Sequence, residues 1–207
     1  MKQKEKNQMS HDKILHAAIM EFGTKSYERA SLNNICNDNM ISKGLIYHYF
    51  KNKDELYLCC VKSSFDELTS FLSNETYDSK DFSENFNKLL DLRYQFFRNH
   101  PHYSNIFFHA VLQPQNHLKE QIKVIRTEFD QFNLLQYKSL LNNITLRDNI
   151  SQEEALEYFL MFQEMFNGQF QKSIYDNTNF DSLIKAHEAK LSKVLNIMLY
   201  GIAKENK

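Results

Sequence analysis

Between Ser42 and Lys53 the chain gathers hydrogen-bond donors and aromatic rings at a density that a purely structural segment does not need. Lys43, Tyr47, His48, Tyr49, Lys51 and Lys53 fall in this one stretch, with Gly44 among them. Ammonium, imidazole and phenol groups in such a run suit contact with duplex DNA, where Lys side chains neutralise phosphates and other donors reach base edges in the major groove. On a helix that begins at Ser42, Ile41, Ile46 and Phe50 turn inward toward Ile35 and Phe22. Lys43, Gly44, Tyr47 and His48 are then left on the outward face. Glycine in a helix interior costs up to about 1 kcal/mol, and a close approach of backbone to DNA is the simplest reason to find one at position 44.

A helix this short does not fold alone, so its neighbours must hold it. Ser31 offers an N-cap to a short helix carrying Leu32 and Ile35, and Ser42 offers one to the next. Upstream, Ile14, Ala18 and Phe22 recur at i, i+4 and i+8, with Leu15 and Ile19 widening the stripe, which predicts an amphipathic helix over about 11–25. Two short helices behind a longer one form a helix-turn-helix unit, whose second short helix enters the major groove. Charge agrees with that placement. Residues 1–53 hold nine Lys/Arg against five Asp/Glu, so a net of −1 for the chain divides into +4 on this end and −5 on the remainder.

Beyond the head, Asn52 with Glu55 is a capping-box-like start for a long helix bearing Leu56, Cys60, Phe65, Leu68 and Leu72. A helix from Phe86 to Phe97 stops before Pro101, and Pro114 closes the short one after it. Apolar steps from about Gln115 to Asn142 predict one long helix. Ser151-Gln152-Glu153-Glu154 opens a helix that is apolar on most of its circumference, and a last helix runs from about Asp181 to Ala203. With only 4 Gly and 2 Pro, the chain lacks the turns of a sandwich or barrel. The expectation is an all-α protein of about nine helices, with a DNA-binding domain at 1–53 and a helical-bundle regulatory and dimerisation domain at 54–207. The last two helices present wide apolar faces and are the candidate homodimer surface. The 17 Phe and 11 Tyr supply mostly core. Phe97, Tyr103, Phe107, Phe129, Phe162 and Phe166 are candidates for lining an effector pocket, each as readily core. Gly168 marks either a kink beside a pocket or a close helix crossing between subunits.

Other chemistries find little support. Cys36, Cys59 and Cys60 are odd in number and irregularly spaced, which argues for a reducing compartment over a disulfide framework. The polar N-terminus and the lack of an apolar run of about 20 residues predict a cytoplasmic protein with no membrane partner. The closest glycines, Gly23 and Gly44, are too far apart for a phosphate loop, and Glu-x-x-His does not occur. His100, His102 and His109 lack the i, i+4 spacing of a helical zinc motif. No catalytic residue, metal or cofactor is expected.

The ordered pieces Ser31-Leu32-Asn33-Asn34-Ile35-Cys36 and Ile41-Ser42-Lys43-Gly44-Leu45-Ile46-Tyr47-His48-Tyr49-Phe50-Lys51-Asn52-Lys53-Asp54-Glu55-Leu56 resemble the signature of the tetracycline-repressor (TetR) family. The likeness extends from Ile14 to Leu56. It implies a homodimeric, ligand-responsive repressor whose paired heads sit on a palindromic operator in double-stranded DNA, with a divergent body that binds an unidentified small-molecule effector. By the same resemblance Lys43, Tyr47 and His48 contact bases or phosphates, Gly44 lies at a base edge, and Ser31, Tyr49 and Lys53 clamp the DNA backbone. Ser42, heading the reading helix, is counted with them. The chain departs from the family at three places. Asn39-Met40 stands where Ala-Gly is usual, which predicts a wider turn or a strained one. Ser26 replaces the glycine that ends the first helix, with Gly23 nearby to loosen the last turn, and Cys36 replaces a small Ala. The altered turn keeps open a second reading, an all-helical small-molecule or protein-binding module with weak or lost DNA binding.

Overall fold

The computed structural model describes residues 3–77, 82–173 and 180–202. Among them the regular structure is helical: α1 (Gln3–Thr24), α2 (Leu32–Asp38), α3 (Lys43–Tyr49), α4 (Lys53–Ser73), α5 (Phe82–Asn99), α6 (Pro101–Leu112), α7 (Lys119–Ile125) after a 3-10 turn at Asn116–Leu118, α8 (Thr127–Leu141), α9 (Gln152–Ser173) and α10 (Phe180–Ile202). They form two compact units. The first comprises the described residues up to Glu67 together with Phe97–Arg126, and the second Leu68–Phe96 with the described residues from Thr127 onward.

In the first unit α1, α2 and α3 close over Phe22, Ile35, Ile41, Ile46 and Phe50, each almost fully buried. A second cluster gathers Phe65, Phe97, Phe107 and Phe108, with ring centroids 4.8–5.0 Å apart for Phe65 and Phe107, Phe97 and Phe107, and Phe97 and Phe108. These are the separations at which tilted aromatic pairs add to simple burial. Gly23 does not loosen α1. A Cβ built on it would lie 2.5 Å from His102 Cβ and 2.7 Å from His102 Cα. It is a point of close approach between α1 and α6, and its carbonyl accepts a 2.8 Å bond from Asn105 Nδ2.

The second unit buries Phe86, Leu89 and Leu90 of α5 with Phe129, Tyr137, Leu140 and Leu141 of α8, Ala155, Phe159, Phe166 and Phe170 of α9, and Leu183, Leu191, Leu195 and Leu199 of α10. An ion pair lies inside this apolar core. Arg93 Nε and Nη2 donate to the two Glu188 carboxylate oxygens at 2.9 and 3.2 Å. His187, held edge-on by the Phe166 and Phe170 rings, places Nδ1 3.0 Å from Glu188 Oε1 and Nε2 3.0 Å from Asn167 Oδ1. At the start of α9, Ser151 and Glu154 form the expected reciprocal cap, with Ser151 N donating to Glu154 Oε2 at 2.8 Å and Glu154 N to Ser151 Oγ at 3.1 Å.

Two helix limits differ from the sequence expectation. α1 begins at Gln3, not near 11, because Lys, Glu and Gln propagate a helix without any apolar stripe and because Gln8 Nε2 bonds Asp12 Oδ1 across one turn at 2.8 Å. The expected helix over 115–142 is broken at Arg126, whose N–H turns to the carbonyls of Ile122 and Val124. Lys123 in the last turn of α7 and Glu128 and Asp130 in the first turn of α8 match the dipoles of two separate helices. Ala203, the expected end of the last helix, lies outside the described residues.

Candidate nucleic-acid interface

Glu21 organises the head. It sits on the buried side of α1 at 7% exposure, where its carboxylate accepts from Lys25 Nζ at 2.8 Å, from Ser31 N at 2.9 Å and from Asn34 Nδ2 at 3.1 Å. Burial pushes this carboxyl up, but the Lys25 ammonium and the Ser31 and Asn34 donors pull it further down, so it lies below its ordinary value and stays charged. One carboxylate thereby fixes where α2 starts relative to α1. Ser31 completes that start as N-cap, its Oγ accepting from Asn33 N at 3.2 Å.

The turn between α2 and α3 is closed and strained. Ile41 N donates to Cys36 O at 2.9 Å, the six-residue closure that ends many helices, and Asn39 Nδ2 caps the Ile35 carbonyl at 3.2 Å. Met40 accommodates this closure with φ at 51°, in the left-handed region, and its side chain is 90% exposed. An L side chain there costs about 1–2 kcal/mol. Met40→Gly is therefore expected to stabilise the fold by about 1 kcal/mol, part of the relief being lost to the freedom glycine gains in the unfolded chain. A chemical-denaturation midpoint checks this, and an unchanged or lowered midpoint counts against the strain.

Ser42 Oγ accepts from Leu45 N at 3.2 Å and so starts α3. Ile41, Ile46 and Phe50 point into the unit, while Lys43, Gly44, Tyr47 and His48 are exposed on the opposite side. A Cβ at Gly44 would meet nothing within 4 Å. Nothing inside the described protein asks for glycine at this position.

The three residues expected to clamp the DNA backbone are already engaged within the head. Ser31 caps α2. The Tyr49 hydroxyl donates to Asn7 O at 3.0 Å, tying the early turns of α1 to the end of α3, and its ring meets His48 and His11 edge-on. Lys53 Nζ lies 4.3 Å from the Tyr27 ring centre, where partial burial lowers its pKa against the pull of Glu28, Asp54 and Glu21. Tyr27 is a hub that the sequence did not reveal. Its hydroxyl donates to Asp54 at the start of α4, and its ring packs on Tyr57 at 5.0 Å. The Tyr27 bond comes first in holding the Asp54 carboxyl below its usual range, ahead of His117, whose Nε2 is 3.4 Å away. Asn52 Oδ1 accepts from Glu55 N at 2.9 Å, while the Glu55 carboxylate turns back to Lys51 N. Tyr27 and Asp54 carried no periodic signal. Glu21 did, since it falls seven residues after Ile14 on the apolar stripe of α1.

The six aromatic residues considered for an effector pocket divide between the units. Phe97, Tyr103 and Phe107 belong to the first, and Phe129, Phe162 and Phe166 to the second. Phe97, Phe107, Phe129 and Phe166 are core, and Tyr103 and Phe162 are half-buried. A concavity of about 410 Å³ in the first unit is lined instead by residues such as Lys51, Glu55, Cys59, His117 and Gln121. Burial comes first, with Glu55 adding to it, in pushing the Cys59 thiol up and away from reactivity. Among the described residues no group of three His, Cys, Asp or Glu is placed to hold a metal ion, and no helix is long and apolar enough to cross a membrane.

Residues 14–60 match the model of a family described as bacterial regulatory proteins, tetR family. The TetC protein of transposon Tn10 from Escherichia coli is 27% identical over 74 residues, 36% of this chain and 38% of that protein. The biofilm operon icaADBC negative transcriptional regulator IcaR of Staphylococcus epidermidis is 34% identical over 61 residues, 30% of this chain and 33% of its own length. The chain thus spans between a third and two fifths of these curated relatives. A TetR family transcriptional regulator from Chloroflexus aurantiacus shares the fold along almost the whole chain, with a TM-score of 0.60 and 19% identity over 96% of this chain and 95% of that one.

Proposed function

This chain belongs to the tetR family of bacterial regulatory proteins, and from that premise we propose that it is a homodimeric repressor that reads a palindromic operator with α3 and releases it when its body binds a small effector. Regulators of this family bind DNA to repress transcription and are often ligand-responsive. The observation that carries the reading is the outward face of α3. Lys43, Gly44, Tyr47 and His48 are all exposed on one side of a helix whose other side is locked into the head, and Gly44 has open space before it. Lys43 supplies phosphate neutralisation, Tyr47 and His48 supply donors and ring surface to base edges, and Gly44 lets the helix backbone come close. Ser31, Ser42, Tyr49 and Lys53 hold this face in position and sit at its edges. Lys4, Lys6 and Lys13 on the long α1 add positive charge to the same end of the sequence.

The functional division follows, with the reading head in residues 1–53 and the regulatory and dimerisation part in 54–207. Dimerisation is assigned to α9 and α10. Tyr158, Met161 and Met165 form an exposed stripe on α9, continued by Gly168, and Ile197 is 69% exposed on α10. A Cβ at Gly168 or Gly201 meets nothing within the described chain, which leaves room for a partner helix. Two heads joined this way must present their α3 helices about 34–36 Å apart to enter successive major grooves. The competing reading, a module with lost DNA binding, drew on a distorted turn at Asn39-Met40, and the closed turn favours the repressor.

Gly44→Ala tests the assignment because its two effects have opposite signs. Removing a helical glycine is expected to raise stability by up to about 1 kcal/mol, while the added methyl weakens binding to a palindrome from the DNA flanking the coding sequence by about tenfold or more, the size of one good base contact. A variant that is more stable and binds that duplex as well as the parent overturns the role given to α3.

A further inference from the structure

The second unit contains two small voids that share a wall. One, of about 20 Å³, is lined by Arg93, Asn133 and Gln163 together with leucines that include Leu72, Leu89 and Leu191. The other, of about 10 Å³, is lined by apolar side chains that include Leu140, Leu141, Ala155, Leu199 and Ile202. Tyr137 and Phe159 line both. Neither void exceeds the room of about one water. Beside the larger one Asn133 is 7% exposed, and its Nδ2 has no hydrogen-bond partner among the described residues. A buried donor left unpaired bears its full desolvation penalty, so a site that keeps one calls for an acceptor from elsewhere.

We propose that the two voids are the closed form of a single slot and that its ligand is a straight-chain carboxylate. This deepens, and rests on, the reading of the body as an effector-binding part. Swinging the Tyr137 and Phe159 rings aside joins the voids into a channel with donors at one end and aliphatic walls at the other. Asn133 Nδ2 and the Arg93 guanidinium both donate, so a carboxylate satisfies both, an alcohol brings no complementary charge, and an ammonium meets the guanidinium with like charge. Arg93 is held by Glu188, which also faces His187 Nδ1. When Arg93 turns to the ligand, Glu188 keeps the histidine as partner. Occupancy therefore exchanges an α5-to-α10 ion pair for a ligand contact and alters how α10, assigned above to the dimer face, is held.

The test uses the full chain with sodium dodecanoate, 1-dodecanol and dodecylamine, each below its micelle concentration, followed by thermal melting and calorimetric titration. Dodecanoate is expected to raise the melting midpoint saturably and to bind at least about tenfold more tightly than the alcohol or the amine, as fits a charge-assisted hydrogen bond. Asn133→Leu, which removes the unpaired donor, is expected to melt higher without ligand and to lose dodecanoate affinity about tenfold. Ala155→Leu narrows the apolar end and is expected to weaken dodecanoate more than octanoate. No saturable shift, an equal response to the amine, or unchanged affinity in a folded Asn133→Leu chain overturns the proposal. If either variant fails to fold, the three probes on the parent chain decide alone. Operator binding is measured separately without ligand. Loss of that binding with dodecanoate binding intact overturns the repressor and leaves the slot standing, and the reverse result overturns only the slot.

Discussion

Arg93→Met is expected to destabilise the protein by roughly 3–5 kcal/mol at neutral pH, because it leaves the Glu188 carboxylate buried without its cation. The pair is bidentate, and both side chains are largely withdrawn from water, at 11% and 4% exposure. Methionine replaces the stem of Arg93 but none of its charge. The pH dependence distinguishes this cause from lost packing. In the parent, burial pushes the Glu188 carboxyl up, but Arg93 and His187 pull it down further, so it lies below its ordinary value of 4.5. A carboxyl depressed by folding contributes stability above its unfolded pKa, and that contribution is lost as pH falls through the folded one. Without Arg93 burial dominates and the carboxyl rises, so the variant binds a proton on folding. Its deficit is expected to shrink as pH falls from 7 toward about 4.5, whereas a packing defect would stay constant. Urea denaturation of both chains across that range provides the check, and a deficit independent of pH would rule out the electrostatic account.

A comparable loss is expected from Gly23→Ala, a change that adds one methyl. The new Cβ would sit 2.5 Å from His102 Cβ, 2.7 Å from its Cα and 2.9 Å from its carbonyl oxygen, and two of these three atoms are backbone that no rotamer change can move. α1 and α6 must separate. That breaks the 2.8 Å bond from Asn105 to the Gly23 carbonyl as well. Overpacking of a close-packed interior typically costs 1–3 kcal/mol, and a backbone clash with a lost hydrogen bond places this variant at about 3 kcal/mol. His102→Gly in the same chain is expected not to restore it, since Cα and O remain. Rescue by that second change, or a loss below about 0.5 kcal/mol, would show that the two helices can part easily.

How far the sequence reveals these features depends on how local their cause is. The helix-turn-helix head was legible because each of its parts is encoded nearby. Ser31 and Ser42 cap helices within three residues, and the inward set Ile35, Ile41, Ile46 and Phe50 follows helical spacing. At Met40 the residue types allow either a wider turn or a strained one, and the closing bond from Ile41 to Cys36 decides for the strained one by imposing a positive φ on a residue that disfavours it. Gly23 and Tyr27 were misjudged or missed for the opposite reason. Their partners, His102 and Asp54, lie far along the chain, and no periodicity links them. The break at Arg126 left a readable trace in the charges of Lys123, Glu128 and Asp130, although the apolar steps run straight through it. Arg93 and Glu188 look like solvent-facing charges on amphipathic helices until the packing places them together.

Whether α3 reads DNA through the face bearing Lys43 and Tyr47 is decided by the salt dependence of operator binding. The full chain is titrated with a palindromic duplex from its own flanking DNA, and with a scrambled duplex, between about 50 and 200 mM salt. Log K for the palindrome is expected to fall linearly with log salt and to exceed that for the scrambled duplex. Lys43→Ala is expected to make the slope shallower by about one, and Tyr47→Ala to lower affinity for the palindrome by about 1–3 kcal/mol. Equal affinity for both duplexes, or binding that neither salt nor these two substitutions weaken, would contradict that role of α3.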